Sequence, residues 1–267
     1  MEIIGYICAT LVGLSLGILG SGGSILTVPI MVYLFNVNPV DATGYSLFVV
    51  GISSAIGGIK YIRKKLVDMK TAFIFAVPSI VSVFLTRTFV MPAIPNPVFS
   101  VSSFILSKEI FIMVLFAILM VIVSFNMIRN EKYKAPERKE LAHINYVWLV
   151  TIGFVSGILT GIVGVGGGFI IIPALVLLAK IPVRMSVGTS LLIIAFNCLS
   201  GFAGELLERQ DVMDYKFLLI FSALAVGGIF MGFSIALKKS PTQIKKLFGW
   251  FVLVMGICIF IKEIFIG

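Results

Sequence analysis

Residues 3–35 and 147–179 carry no charged side chain from end to end. As straight helices, such runs would each be about 50 Å long at 1.5 Å rise per residue. A bilayer hydrocarbon core is only about 30 Å thick, and tilt absorbs too little of the excess. Each run must therefore break near its middle, and glycine marks the place. The first contains GLSLGILGSGGSILTVPIMVYLF, from Gly13 to Phe35, and the second GILTGIVGVGGGFIIIPALVLLA, from Gly157 to Ala179. At a constant offset they share Gly13/Gly157, Gly17/Gly161, Gly20/Gly164, Gly22/Gly166, Gly23/Gly167 and Pro29/Pro173. The match continues through Gly44/Gly188, Ser46/Ser190 and Leu47/Leu191, and Asp68-Met69-Lys70 is echoed by Asp214-Tyr215-Lys216. The chain is an internal duplication.

Between these runs lie further apolar segments at roughly 42–59, 71–90, 109–128, 185–206, 217–237 and 247–266. Hydrophobic residues make up 59% of the 267-residue chain and charged ones 12%, where a soluble domain carries about 25% charged. Mean hydropathy is +1.13. No soluble domain of this size has enough interior for that much apolar surface. Disordered, collagenous and nucleic-acid-binding classes need polar or repetitive chains and are excluded as well. The expected fold is an all-α polytopic membrane protein of two homologous halves. The division is 1–130 for the first repeat, 131–146 for a charged cytoplasmic linker, and 147–267 for the second repeat.

The net charge of +9 is concentrated in short loops. That distribution points to anionic lipid on the cytoplasmic face of the cytoplasmic membrane, with no nucleic-acid partner. Cys8, Cys198 and Cys258 sit inside apolar runs without metal-ligand spacing and read as small buried hydrophobes; His143 is the only histidine. No metal, cofactor or histidine-based triad is expected. MEIIGYICAT lacks a basic n-region and reads as part of a mature first span.

Two topologies compete. If each glycine-broken run crosses once, the halves are parallel. If each enters and returns on one side, every half has a hairpin plus three crossings, and the second half is inverted. The inverted arrangement gathers more of the bases on one side, joining Lys60–Lys70 and Arg129–Lys139 to Lys180, Arg184, Lys238, Lys239, Lys245 and Lys246. It is therefore preferred. It places the N-terminus and the 36–41 loop outside.

Each glycine tip, Gly20-Ser21-Gly22-Gly23-Ser24 and Gly164-Val165-Gly166-Gly167-Gly168, is followed by a restarting helix. Unwound backbone within a bilayer must be covered by protein or line a cavity. A restarting helix turns free N–H groups and a positive dipole end into that space. Two such ends make an anion site without a cationic side chain. The candidate substrate-binding residues are Ser21, Gly22, Gly23, Ser24, Thr27, Ser46, Gly164, Gly166, Gly167, Gly168, Ser190 and Asn197. Ser46 and Ser53 share a helical face, as do Ser190 and Asn197 at the matching positions. Gly13-x-x-x-Gly17, Gly157-x-x-x-Gly161 and Gly228-x-x-x-Gly232 fit close helix packing instead. Arg87 is expected to snorkel to the outer interface, Glu205 to be a solvated interfacial carboxylate, and Trp148 and Trp250 to be interface anchors.

The duplicated GxxxGxxGxGGxxxxxP pattern resembles the sulfite exporter TauE/SafE family, also called the toluene-sulfonate uptake permease family, over nearly the whole chain. The resemblance implies a secondary carrier of small sulfur-containing anions such as sulfite, sulfoacetate or sulfonates, running on the proton motive force. The expected partner is thus a small anion and the expected mechanism alternating access, with no enzymatic chemistry. The alternatives are a channel or carrier for a cation or neutral solute, an intramembrane enzyme, or a structural subunit. No paired Asp, HExxH or Ser/His arrangement in the spans favours an enzyme.

Overall fold

The structure is a computed structural model that describes residues 2–20, 22–101, 104–129, 146–208, 213–238 and 241–265. Helix α1 (Glu2–Leu19) stops at the first glycine tip; a 3-10 turn (Gly22–Leu26) leads into α2 (Thr27–Phe35), then α3 (Pro39–Arg63) and α4 (Met69–Leu85). A π-helical segment (Thr86–Val90) and a last turn, α5 (Met91–Ala93), prolong α4. After a short ribbon comes α6 (Lys108–Arg129). The second half repeats the order with α7 (Tyr146–Val163), α8 (Gly168–Leu177), α9 (Val183–Glu208), α10 (Tyr215–Lys238) and α11 (Pro241–Phe265). Among the described residues the fold is all-α as expected, apart from one short ribbon. Strands β1 (Phe99–Val101) and β2 (Phe104–Leu106) pair antiparallel, Phe99 opposite Leu106. Pro95 and Pro97 stop the helix just before them. The linker expected at 131–146 lies outside the described residues except for Tyr146, which opens α7.

The echoed Asp-x-Lys triplets are helix caps. Asp68 accepts from the Thr71 N–H at 3.2 Å and Asp214 from the Phe217 N–H at 3.0 Å, opening α4 and α10. Each cap also reaches the other half: the Asp68 N–H donates to Thr189 Oγ1 and the Asp214 N–H to the Tyr45 hydroxyl. Asn38 caps α3 in the same way, with Pro39 in the first turn where its missing N–H costs nothing.

Helices α3, α4 through α5, α6, α7, α9, α10 and α11 are each long and apolar enough to cross a membrane. Phe73, Val77, Val81, Leu85 and Phe89 recur every four residues and are all exposed. That makes a continuous apolar stripe along α4, which only lipid can cover at no cost. Trp148 and Trp250 are also exposed. Cys198 is buried, Cys8 half-buried, and Cys258 exposed on α11. The reading of Cys258 as buried is thereby corrected, since the apolar face that carries it has no protein against it.

The packing interlocks the halves. Gly13 lies against Ala225, Gly17 against Ile229 and Gly232, and Gly228 against Thr10 and Leu14. So α1 runs beside α10 in the same direction, seamed by the Gly-x-x-x-Gly pairs as expected. Likewise Gly153 meets Phe75, Gly157 meets Ser79 and Gly161 meets Thr86, so α7 runs parallel to α4. At the centre Gly44 meets Glu205, Gly51 meets Cys198 and Leu199, and Gly58 meets Leu192. Helices α3 and α9 are therefore antiparallel. Gly249 against Met127 and Gly256 against Met120 make α6 and α11 antiparallel too.

Candidate functional site

Both charge-free runs break where expected. Gly20 and Gly164 close α1 and α7 with φ of 75° and 76°, and their N–H groups donate to Leu16 and Thr160 carbonyls at 2.8 Å. This is a left-handed C-terminal cap, a conformation that costs a residue with a Cβ about 1–2 kcal/mol. After the first break the chain folds back on itself, bringing the Phe35 ring to 5.2 Å from that of Tyr6. The restarts differ. The first resumes as a 3-10 turn at Gly22, whereas the second resumes as an α-helix at Gly168. Gly166 and Gly167 are also left-handed, at 73° and 64°, and the N-cap Gly167 offers no side-chain acceptor to the first turn of α8.

The two elbows lie at opposite ends of the α3–α9 pair. A Cβ at Gly20 would fall 3.0 Å from Ser190 Oγ, and one at Gly164 would fall 2.7 Å from Thr43 Cα. The restarts then come back to a common height. Gly23 packs on Val12 and Leu16 of α1, and Gly167 on Ser156 and Thr160 of α7. Following the α1–α10–α3 and α7–α4–α9 registers, both heights lead to the middle of the central pair, near Ser53 and Asn197. The 3-10 turn touches α8, and Val165 shares an apolar cluster with Ile25 and Leu26.

Of the other candidate residues, Ser24, Thr27, Ser46, Ser190 and Asn197 are all buried. Ser190 is spent locally, donating to the Val187 carbonyl at 2.8 Å. Thr27, Ser46 and Ser53 hydroxyls and Asn197 Oδ1 have no protein partner. A buried unpaired polar group costs about 1–3 kcal/mol, so these four, with Ser53 and Asn197 at one height and Ser46 about two helical turns nearer the Gly164 elbow, are what a site awaiting a polar ligand looks like. Gly22 lies in the 3-10 turn; Ser21 lies outside the described residues.

Sequence reasoning missed half of the polar lining. Asn197 Nδ2 donates to Ser79 Oγ at 2.7 Å; Ser79 stands 3.5 Å from Ser156 Oγ, and Thr160 donates to the Ser156 carbonyl at 2.8 Å. This chain crosses α9, α4 and α7 beside Gly167. It also missed an ion pair. Arg87 is fully buried and its Nη1 donates to Glu205 Oε2 at 2.9 Å, Glu205 being 5% exposed. Both solvent-facing readings are thus corrected: the π-helical segment and the parallel packing of α4 on α9 turn the two side chains toward each other inside the protein. The signal was available position by position. Where the first half and its partner helix have Val12, Leu16, Ala225, Tyr61 and Phe233, the second tip's surroundings have Ser156, Thr160, Ser79, Glu205 and Arg87.

The chain is similar to a probable membrane transporter protein of Xylella fastidiosa (strain 9a5c), 28% identical over 253 residues that cover 92% of this chain and 90% of that one. It resembles the probable membrane transporter protein MJ0441 of Methanocaldococcus jannaschii at 27% over 264 residues, 92% of each chain. It also resembles the probable membrane transporter protein YunE of Bacillus subtilis at 26% over 241 residues, 80% of this chain and 83% of that one. No solved structure matches it significantly. The profile described as sulfite exporter TauE/SafE matches residues 6–259, nearly the whole chain. With its apolar helices, this makes the protein a multi-pass integral membrane protein: the chain belongs to the sulfite exporter TauE/SafE family of membrane transporters.

Proposed function

We propose that the protein is a secondary carrier that moves a small sulfur-containing anion, sulfite or a sulfonate, across the cytoplasmic membrane by alternating access, coupled to protons and without chemical change to the anion. The observation that carries this reading is the return of two glycine-broken restarts to one buried level beside Ser53 and Asn197, which together with Thr27 and with Ser46 further along α3 leave hydrogen-bonding capacity unused. Backbone N–H groups at the start of α8, together with those hydroxyls, suit an oxyanion.

The halves act as inverted repeats, each a re-entrant hairpin plus three crossings. Equivalent helices α3 and α9 run antiparallel, as do α6 and α11, while the α1–α10 and α7–α4 seams are related pairs. This is the pattern of a two-fold axis lying across the helices, in the membrane plane. The antiparallel central pair also brings Arg63, Lys64 and Lys65 to the same end as Lys180 and Arg184, as the positive-inside rule asks.

Counterflow of radiolabelled sulfite into proteoliposomes tests the reading; exchange with sulfite but not with sodium or alanine is expected, and its absence rejects an anion carrier. An Asn38→Cys protein should react with an impermeant maleimide from the outside of intact cells, and labelling only from the cytoplasm overturns the inverted topology. Thr27→Val and Ser46→Ala should weaken half-saturation by about tenfold each, since a hydrogen bond to a charged group is worth about 1.5–3 kcal/mol. The same variants should not lower thermal stability and should raise it by up to about 1–3 kcal/mol, because the removed hydroxyls are buried without a protein partner.

A further inference from the structure

A charged pair with a fully buried arginine is a costly thing to keep inside a membrane protein, and such residues mark ion or substrate pathways by default. Here the cost is not structural necessity. The equivalent position in the other half is filled by Tyr61 and Phe233, edge to face at 4.8 Å. The same interhelical geometry therefore packs well without charge. The ion pair also has room reserved around it: Gly204 packs on the Arg87 Cβ, Gly44 lies against the Glu205 carboxyl carbon, and Gly161 lies against Thr86. Arg87 stands in a π-helical segment, a local rewinding frequent at functional sites. The pair adjoins the second tip, because Thr43, which receives the Gly164 elbow, is the chain neighbour of Gly44.

We propose that Arg87 and Glu205 form an exchangeable ion pair, in which the substrate anion displaces the Glu205 carboxylate from Arg87 and the released carboxylate takes up one proton. This rests on the anion-carrier reading above and adds to it the cation that receives the substrate charge and the group that carries the proton. The balance is simple. Arginine and carboxylate are neutral as a pair; arginine with a monoanion, beside a protonated Glu205, is neutral again. One O–H bond forms on Glu205 and no other covalent bond changes. Loading an anion without the proton leaves a net negative charge buried, which the low dielectric penalises heavily. A monoanion is therefore carried with one proton, electroneutrally.

Among the described residues, the titratable groups near Glu205 are Arg87 from the π-helical segment, Asp41 and Tyr45 from α3 within a turn of Gly44, and Cys198 along α9 itself. The facing residues of α7 near Gly161 are Ser156 and Thr160, which do not titrate.

The test uses the full-length protein in proteoliposomes with methanesulfonate, a permanent monoanion, and sulfite as probes. Wild-type uptake should rise about tenfold with an acid exterior and stay indifferent to an imposed membrane potential, in the range of typical coupling between two ligands. Glu205→Gln should make exchange independent of the pH gradient and tighten anion half-saturation by about tenfold, because the competing carboxylate is gone. Arg87→Gln should lose uptake of both probes. The charge-swapped R87E/E205R protein separates packing from function: it should recover membrane levels and melting temperature yet not transport. Gradient-driven uptake by Glu205→Gln, or wild-type transport by the swapped pair, overturns the proposal while leaving the carrier reading intact. A wild-type protein that exchanges neither probe overturns the carrier reading itself, and the proposal with it. If Glu205→Gln fails to reach the membrane, the swapped pair decides alone.

Discussion

Gly164→Ala is expected to lower transport by at least about tenfold while the protein still inserts and folds. Two effects combine at this position. Its φ of 76° lies where an L-residue costs about 1–2 kcal/mol. The added Cβ would also fall 2.7 Å from Thr43 Cα and overlap the Thr43 carbonyl. Those are backbone atoms, so no side-chain rotation relieves the overlap, and the elbow must withdraw from α3 by about an ångström. Gly166 and Gly167, two and three residues on, set where α8 begins, so the shift passes to the N–H groups at the head of α8. Displacement of a positioned binding group by about 1 Å is enough for losses up to about a hundredfold. Gly227→Ala is the control: it lies in α10 with nothing within 4 Å of an added Cβ, and should transport normally. Initial rates of sulfite exchange, read beside melting temperature in detergent, check both. Normal exchange by Gly164→Ala means that the elbow does not position the site.

Much of the fold was legible because apolar length and charge are themselves the structure in a bilayer. The overlong runs demanded a break, and the left-handed glycines fell at Gly20 and Gly164. The duplication predicted matching elements, and even the Asp68 and Asp214 echo proved to be a pair of equivalent caps. The site was half legible. Glycine tips and hydroxyl faces repeat locally, so they can be read along the chain. The Asn197–Ser79–Ser156 chain and the Arg87–Glu205 pair join helices far apart in sequence, the latter pair separated by 118 positions. Arg87, alone at the end of an apolar run, has the signature of an interfacial residue, and only the packing of α4 on α9 reveals its counter-ion. The short β1–β2 ribbon escaped because a three-residue strand leaves too little pattern to distinguish from a loop.

The asymmetry between the halves has a mechanistic sense. An alternating carrier needs two closures of comparable strength but not of the same kind. Around the first tip the seam is apolar: Val12, Leu16 and Ala225 are buried, and the Tyr61 hydroxyl ties to the Gly17 carbonyl at 3.2 Å. Around the second it is polar and charged. An apolar seam opens without leaving polar groups stranded, whereas a charged seam opens only when something replaces the lost partner. On the proposed carrier mechanism, opening at the second tip is thereby tied to ligand and proton.

Gly13→Leu is expected to have the largest effect on stability, and through stability rather than through the site. A Cβ at Gly13 would overlap the Ala225 carbonyl oxygen and stand 2.6 Å from its carbon, so the backbones of α1 and α10 are in contact there. Adding an isobutyl group forces the helices apart over the whole Gly13–Gly17 and Gly228–Gly232 seam. Since lipid competes with protein for apolar surface, tight van der Waals contact is the main force along such a seam. Overpacking in a well-filled interior costs about 1–3 kcal/mol, and an opened helix seam lies at the upper end of that range or beyond it. A loss of even about 1–2 kcal/mol changes cellular abundance several-fold. Gly157→Leu, at the equivalent seam with its Cβ 2.5 Å from the Ser79 carbonyl oxygen and 2.8 Å from Ser82 Cβ, should fall in step. Both should show depleted membrane levels and lowered melting temperatures, with the surviving protein inactive. Gly164→Ala, by contrast, should be abundant and inactive. Finding Gly13→Leu at wild-type abundance would mean that α1 is held by contacts other than this seam, and the interlocking of the two halves would lose its main support.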